Sequence, residues 1–125
     1  MNASSEWLKQ AKYDLETAKD MFKASRYPYC VFMCHLSLEK ALKARYAGKF
    51  KVIPPKTHDL NYLCSKAKIV LSEDDSIFID ELNDLSVHTR YPDELKKILK
   101  EYTKARAIDI LKRSKKVLLW LKENR

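Results

Sequence analysis

His35, Glu39 and Lys43 are the first residues in this chain whose types and spacing suggest chemistry. Four positions apart in a helical stretch, their side chains stand one above another. That line crosses an apolar face made by Cys30, Val31, Cys34, Leu38, Ala41 and Leu42, and polar groups beside such a face need partners or a ligand. One reading is a polar groove in which Glu39 orients His35 or a bound molecule. The other is an ordinary Glu39–Lys43 ion pair, in the favourable glutamate-first order, beside a partly buried histidine. A second pair, His58-Asp59, falls at the start of an expected helix. Free backbone donors there would receive an anion; alternatively Asp59 caps the helix and His58 packs on the Pro54-Pro55 loop. The third cluster is His88, Arg90, Tyr91 and Asp93, at a helix end interrupted by Pro92. Histidine with arginine can hold phosphate or move a proton on RNA, although basic groups also suit a helix C-terminus. The candidate ligand-binding set is therefore His35, Glu39, Lys43, His58, Asp59, Arg90 and Tyr91. Within it Arg90 and Lys43 are the phosphate binders and Tyr91 the stacking surface for a base. His88 with Arg90 is the catalytic pair of a ribonuclease reading.

Other chemistries are excluded by what the chain lacks. A single glycine rules out phosphate-cradling glycine loops and a serine-nucleophile elbow. Cys34 and His35 are successive helix positions and point different ways, so they cannot easily share a metal, and no zinc-binding spacing occurs. No metal or cofactor is expected. Three cysteines make no disulfide framework and read as small buried hydrophobes of a reducing compartment. The N-terminal residues are polar, without a signal-peptide core, and no apolar run reaches membrane-spanning length. Cytoplasm is the expected location, with no membrane association.

The elements that position these residues are helices. Leu, Lys, Ala and Glu dominate and there are only four prolines, a composition favouring helix nearly throughout. Trp7, Ala11, Leu15, Ala18 and Phe22 mark a first helix ending near Ala24. Tyr27-Pro28 opens a second, with Gly48 as its expected left-handed stop. Thr57 is the expected cap of a third helix running to about Leu71, with Leu60, Leu63, Cys64, Ala67 and Leu71 inward. Val52 and Ile53, in the loop before it, are apolar enough to fold back over the core. Ser72 begins a capping box for a fourth helix, with Ile77, Phe78, Glu81, Leu82, Leu85 and Ser86 at helical spacing. Its outer face is acidic: Asp74, Asp75, Asp80, Glu81 and Asp84. Residues 95–100 form a turn or a short helix. The last helix, from about Thr103, turns Ala107, Ile110, Leu111, Ser114, Val117, Leu118 and Leu121 inward. The fold class is all-α: one domain spanning 1–125, an up-and-down bundle of four long helices with room for a short fifth.

Charge is unevenly placed. The net charge of +8 comes entirely from residues 96–125, which carry 11 basic and 3 acidic side chains, because residues 1–95 carry 14 of each. Such a field attracts an anionic partner, whether nucleic acid, acidic protein or nucleotide, or else is a solvated helix face.

Four stretches in order carry a resemblance: WLKQAKYDLETAKDMF, YPYCVFMCHLSLEKALKARY, Pro55 through Leu60 (PKTHDL), and Arg90-Tyr91-Pro92-Asp93. Together they resemble the HEPN domain, named for higher eukaryote and prokaryote nucleotide-binding proteins, over nearly the whole chain. The resemblance implies a helical bundle that forms homodimers. It also implies a minimal nucleotidyltransferase as partner, in some pairs as a toxin–antitoxin module whose HEPN member is an RNase. That branch of the family carries arginine, four to six residues, then histidine. None of His35, His58 and His88 has an arginine at that distance before it. A non-catalytic nucleotide or nucleic-acid binding module is thus the first expectation. The alternatives are a metal-independent RNase using a displaced His88/Arg90 pair, or a purely structural interaction domain.

Overall fold

Helix follows from the composition, and the first two helices are set by how they stop and start. The computed structural model describes residues 3–90 and 95–123, the side chains of 86–90 excepted. It contains α1 (Ala3–Lys23), α2 (Tyr27–Phe50), α3 (Leu60–Lys66), α4 (Glu73–Arg90), α5 (Leu95–Glu101) and α6 (Lys104–Glu123). α1 ends where Ser25 takes a left-handed φ of 61°. The Arg26 N–H then reaches back to the Met21 carbonyl at 2.8 Å, the bond that closes a Schellman stop. Pro28 in the first turn of α2 costs no hydrogen bond there. With only three residues between them, α1 and α2 lie antiparallel. Three cross-links keep their register: the Ser4 hydroxyl donates to the Ala44 carbonyl at 2.8 Å, the Ser37 hydroxyl to the Ala11 carbonyl at 2.6 Å, and Lys40 pairs with Asp14 at 2.8 Å. The last of these explains how Asp14 can be buried on an otherwise apolar face.

α2 is the centre of the bundle and packs against all five other helices. This is why its face carries buried residues on every side, from Cys30 and Val31 through Leu38 and Leu42 to Ala47. α6 lies beside α2, α1 and α4. Its seven expected inward residues, from Ala107 to Leu121, are all buried. The Arg113 guanidinium covers the Phe78 ring at 4.5 Å, and the buried Tyr102 hydroxyl donates to the Leu85 carbonyl at 2.7 Å. These contacts run in opposite chain directions along α4 and α5–α6, completing an up-and-down order of four long helices with α3 and α5 as short additions. Ser72 caps α4 by accepting from the Asp75 N–H at 3.1 Å, and Thr103 caps α6 through the Arg106 N–H at 3.2 Å.

Several local expectations are corrected. Gly48 does not stop α2; the helix continues to Phe50, and Lys51 takes the left-handed position at φ 58°. Gly48 is instead where α1 crosses closely, since a Cβ there would sit 3.0 Å from the Ser4 hydroxyl. α3 is shorter than expected at both ends, its cap two residues later and its last residue five residues earlier. Asp59, not Thr57, is its cap, accepting from the Tyr62 N–H at 3.1 Å. Lys68, left-handed at φ 56°, ends it with an Ile69 N–H bond to the Cys64 carbonyl at 3.0 Å. Val52 and Ile53 do not cover the core: they are 54% and 82% exposed, and Pro54 is the buried loop residue. On α4 the inner stripe falls on Phe78, Ile79, Leu82 and Leu85, leaving Ile77 56% exposed and Glu81 outside.

Candidate functional site

α2, the loop after it and α4 meet around Glu39. The Glu39 side chain is 4% exposed, so its carboxylate must be satisfied from within. Lys43, one turn further along α2, donates to Oε2 at 3.1 Å. The Lys43 ammonium also lies 5.4 Å from the centre of the Trp7 ring, within cation–π range. On the other oxygen, His58 Nδ1 lies 2.8 Å from Oε1. A carboxylate paired with lysine can only accept, so Nδ1 carries a proton in this bond. The His58 side chain is 63% exposed; the ring is anchored at one nitrogen and open at the other.

A second branch runs through α4. His35 is fully buried, with Nδ1 at 3.9 Å from Glu39 Oε1 and Nε2 at 3.4 Å from Asn83 Oδ1. The same amide oxygen accepts from the Leu60 N–H at 3.0 Å, while Asn83 Nδ2 donates to Asp59 Oδ1 at 3.1 Å. Asn83 therefore ties the first turn of α3 to α4. Since Asp59 and Leu60 directly follow His58, the tie also holds the imidazole in place over Glu39. The Thr57 hydroxyl accepts from the Asp59 N–H at 3.1 Å, tightening the same turn.

His35, Glu39, Lys43, His58 and Asp59, separated by up to 24 positions, thus form one connected polar network. Lys43 sits beneath it as the buried counter-ion of Glu39 rather than on the open rim. The remaining candidates, His88, Arg90 and Tyr91, with Asp93, lie outside the described residues or side chains; the α4 backbone reaches position 90, two helical turns beyond Asn83. Asn83 is the member that sequence reasoning missed. The available signal was an asparagine, a poor helix former, between Leu82 and Leu85 on an inward-facing helix. Trp7, the ring under Lys43, is marked by its spacing only as a core residue. Among the described residues no cluster of histidine, cysteine, aspartate and glutamate is arranged to hold a metal, and no helix is long and apolar enough to cross a membrane. Two hollows of about 480 and 510 Å³ lie elsewhere, where α1 begins and α2 ends, and neither is lined by His35, Glu39, His58 or Asp59.

The chain belongs to the HEPN domain family, whose profile matches residues 4–124. Its fold is similar to the crystal structure of TT1696 from Thermus thermophilus, with a TM-score of 0.85 and 22% identity over the whole of both chains. It is similar also to ST0689, described as an archaeal HEPN homologue, with a TM-score of 0.76 and 24% identity over 99% of this chain and 98% of that one. No curated protein matches the chain.

Proposed function

We propose that this HEPN protein is a non-catalytic binding module for a nucleotide or a nucleic-acid segment, acting as a dimer beside a minimal nucleotidyltransferase, in some settings as half of a toxin–antitoxin pair. The observation that carries the binding reading is the state of His58. A buried carboxylate fixes one ring nitrogen at 2.8 Å while most of the ring stays open to solvent. Fixed polar groups on an open rim over a satisfied floor are what a recognition site requires. His35, Glu39 and Lys43 position that rim, His58 and Asp59 line it, and Arg90 and Tyr91 supply phosphate binding and base stacking from the end of α4 and the residues after it. The homodimer and the nucleotidyltransferase partner are taken from the family resemblance. The opposed charges of the α4 face and of residues 96–125 are in keeping with association. Calorimetric titration of the purified protein with ATP and with a short single-stranded RNA at low salt tests the reading. Binding in the wild type that is lost in His58→Ala is expected; no binding of either ligand would leave the structural interaction domain as the better account.

The ribonuclease alternative draws on His88 and Arg90, a histidine to move the proton and an arginine to hold the phosphate. Metal-free cleavage of labelled RNA that disappears in His88→Ala would replace the binding-module reading with the displaced His88/Arg90 pair.

A further inference from the structure

We propose that the two hollows where α1 begins and α2 ends form one binding site for a small amphipathic anion, a free medium-chain fatty acid, separate from the polar network around Glu39.

The hollows are continuous. Ser4, Gly48 and Lys51 line both of them, so they meet where the start of α1 crosses the last turns of α2. At about 480 and 510 Å³, each is of the size that holds a small molecule. One is walled by Leu8, Ala41, Ala67 and Leu121, the other by Trp7, Val52, Ile53 and Pro54. Gly48 brings no side chain into the passage between them, and a Cβ there would already meet the Ser4 hydroxyl at 3.0 Å. Val52 and Ile53 stand at the mouth, 54% and 82% exposed. Branched apolar side chains held in water beside an apolar hollow gain free energy when a hydrocarbon covers them.

The polar groups say what kind of molecule that is. The charged residues of the two linings are Arg45, Lys49 and Lys51. No acidic side chain lines either hollow among the described residues, and positions 1–2 and 124–125, next in sequence to the ends of α1 and α6, contain none. Arg45 serves the Leu121 carbonyl at 3.2 Å. Lys49 and Lys51 are exposed at the rim, and Lys51 holds its place there from a left-handed backbone, φ 58°, which a lysine adopts only at a cost. An anionic group at this rim is therefore complemented and meets no like charge. The walls themselves offer almost nothing to a polar ligand. Ser4 carries the one side-chain hydroxyl or amide in either lining, and it already donates to the Ala44 carbonyl at 2.8 Å. A sugar, a base or a peptide would leave polar groups unsatisfied against these walls, whereas a hydrocarbon chain needs no such partner. Lys49 lines the hollow beside Leu8 and Leu121 and not the other, which sets the direction. The carboxylate lies between Lys49 and Lys51, and the chain passes over Gly48 toward Trp7 and Ile53.

Calorimetric titration of the purified protein with decanoate and with decanol tests the chemistry. Titration with ω-bromoundecanoate tests the place, because bromine at the end of the chain quenches an indole it touches. Quenching is read in Trp120→Phe, which leaves Trp7 as the only tryptophan. Decanoate is expected to bind, decanol to bind about tenfold more weakly for want of the charge-assisted contact, and the brominated acid to quench Trp7. Lys51→Gln is expected to weaken decanoate about fivefold and Ile53→Asp about tenfold, the latter at a side chain exposed enough that folding is not at stake. Far-ultraviolet circular dichroism confirms that both variants are folded. No binding of decanoate, or equal binding of acid and alcohol, overturns the proposal. So does binding that leaves Trp7 unquenched and is untouched by both variants, since the fatty acid then sits elsewhere. Absence of decanoate binding together with a dimer that Ile53→Asp dissociates on gel filtration gives the hollows to a second copy of the chain and overturns it as well.

Discussion

Replacing Glu39 by alanine removes a carboxylate that a lysine and a histidine both use, and the cost can be worked from the geometry. The side chains of Glu39 and Lys43 are 4% and 9% exposed, so water cannot take over for either partner without rearrangement. Glu39→Ala leaves a buried ammonium facing only the Trp7 ring, and frees His58 Nδ1, which water can reach. Breaking one side of a buried ion pair costs about 3–5 kcal/mol, against a total stability of about 5–15 kcal/mol for a domain. Lys43→Met takes the lysine from the buried carboxylate, which keeps its bond to His58, and is expected to cost about 2–4 kcal/mol. The double variant Glu39→Met, Lys43→Met removes both charges at similar volume and is expected within about 1 kcal/mol of wild type. Urea denaturation followed by circular dichroism measures all three, with the tryptophan fluorescence of Trp7 and Trp120 as a second probe. Single-variant costs that add to within about 0.5 kcal/mol in the double variant would show that the two groups act independently, and the network described around Glu39 would be refuted.

Three further outcomes follow from single positions. Gly48→Ala should gain little in the wild type, because its Cβ meets the Ser4 hydroxyl at 3.0 Å, yet should stabilise by about 1 kcal/mol in a Ser4→Gly background, where the helix-propensity gain is unopposed; denaturation midpoints of the four proteins decide this. Lys68→Gly should raise stability by about 1 kcal/mol by relieving a left-handed residue at the end of α3, read from the same urea curves. Stability should hold up to about pH 9 and fall above it. Burial pushes the Cys64 thiol from 9.0 to about 11 and, with help from Glu101, the Tyr102 hydroxyl from 10.0 to about 12. The unfolded chain therefore sheds both protons first as pH rises. Urea midpoints between about pH 8 and 11 check the sign, and an unchanged midpoint at about pH 10.5 would contradict it.

The long helices were legible because burial in a bundle leaves a repeating mark. On α6 every expected inward residue is buried, since one face of that helix meets α2, α1 and α4 and the other meets solvent. On α2 the same rule works less well: a helix packed on all sides has no single apolar stripe, so His35, Glu39 and Lys43 stand out only as polar exceptions. The errors fall where two residues compete for one role. Thr57 and Asp59 are both good caps, and the chain uses Thr57 to brace the turn and Asp59 to start α3. Gly48 carries the usual signature of a helix stop, but close approach of α1 needs its missing Cβ more. Lys51 and Lys68 take left-handed positions that nothing in their side chains announces. The pairing of Glu39 with His58 was beyond sequence reasoning for a different reason. It depends on the path of the loop through Pro54 and Pro55, and local periodicity says nothing about where such a loop returns. Asn83 is marked in the sequence only as a poor helix former beside buried leucines, and its partners could not be named until that return was known.

The network has to be weighed as structure and as site together, because the same contacts serve both. As structure, it ties the loop before α3 to α2 and α4, and Asn83 alone would accomplish most of that through Asp59 and Leu60. The Glu39–Lys43 pair adds little further fastening for the desolvation it incurs, since a pair of matched apolar side chains would hold α2 against Trp7 about as well. What the buried carboxylate adds is direction. It selects the Nδ1–H form of His58, turns Nε2 outward, and does so from a helix that every other element holds in place. A stable fold has no use for that specification, whereas a rim that must present a fixed ring to a ligand does. If the doubly apolar variant at 39 and 43 is as stable as the wild type but binds no nucleotide, the charge pair is maintained for recognition. If it is equally stable and binds as well, orientation of His58 is not what the pair is for.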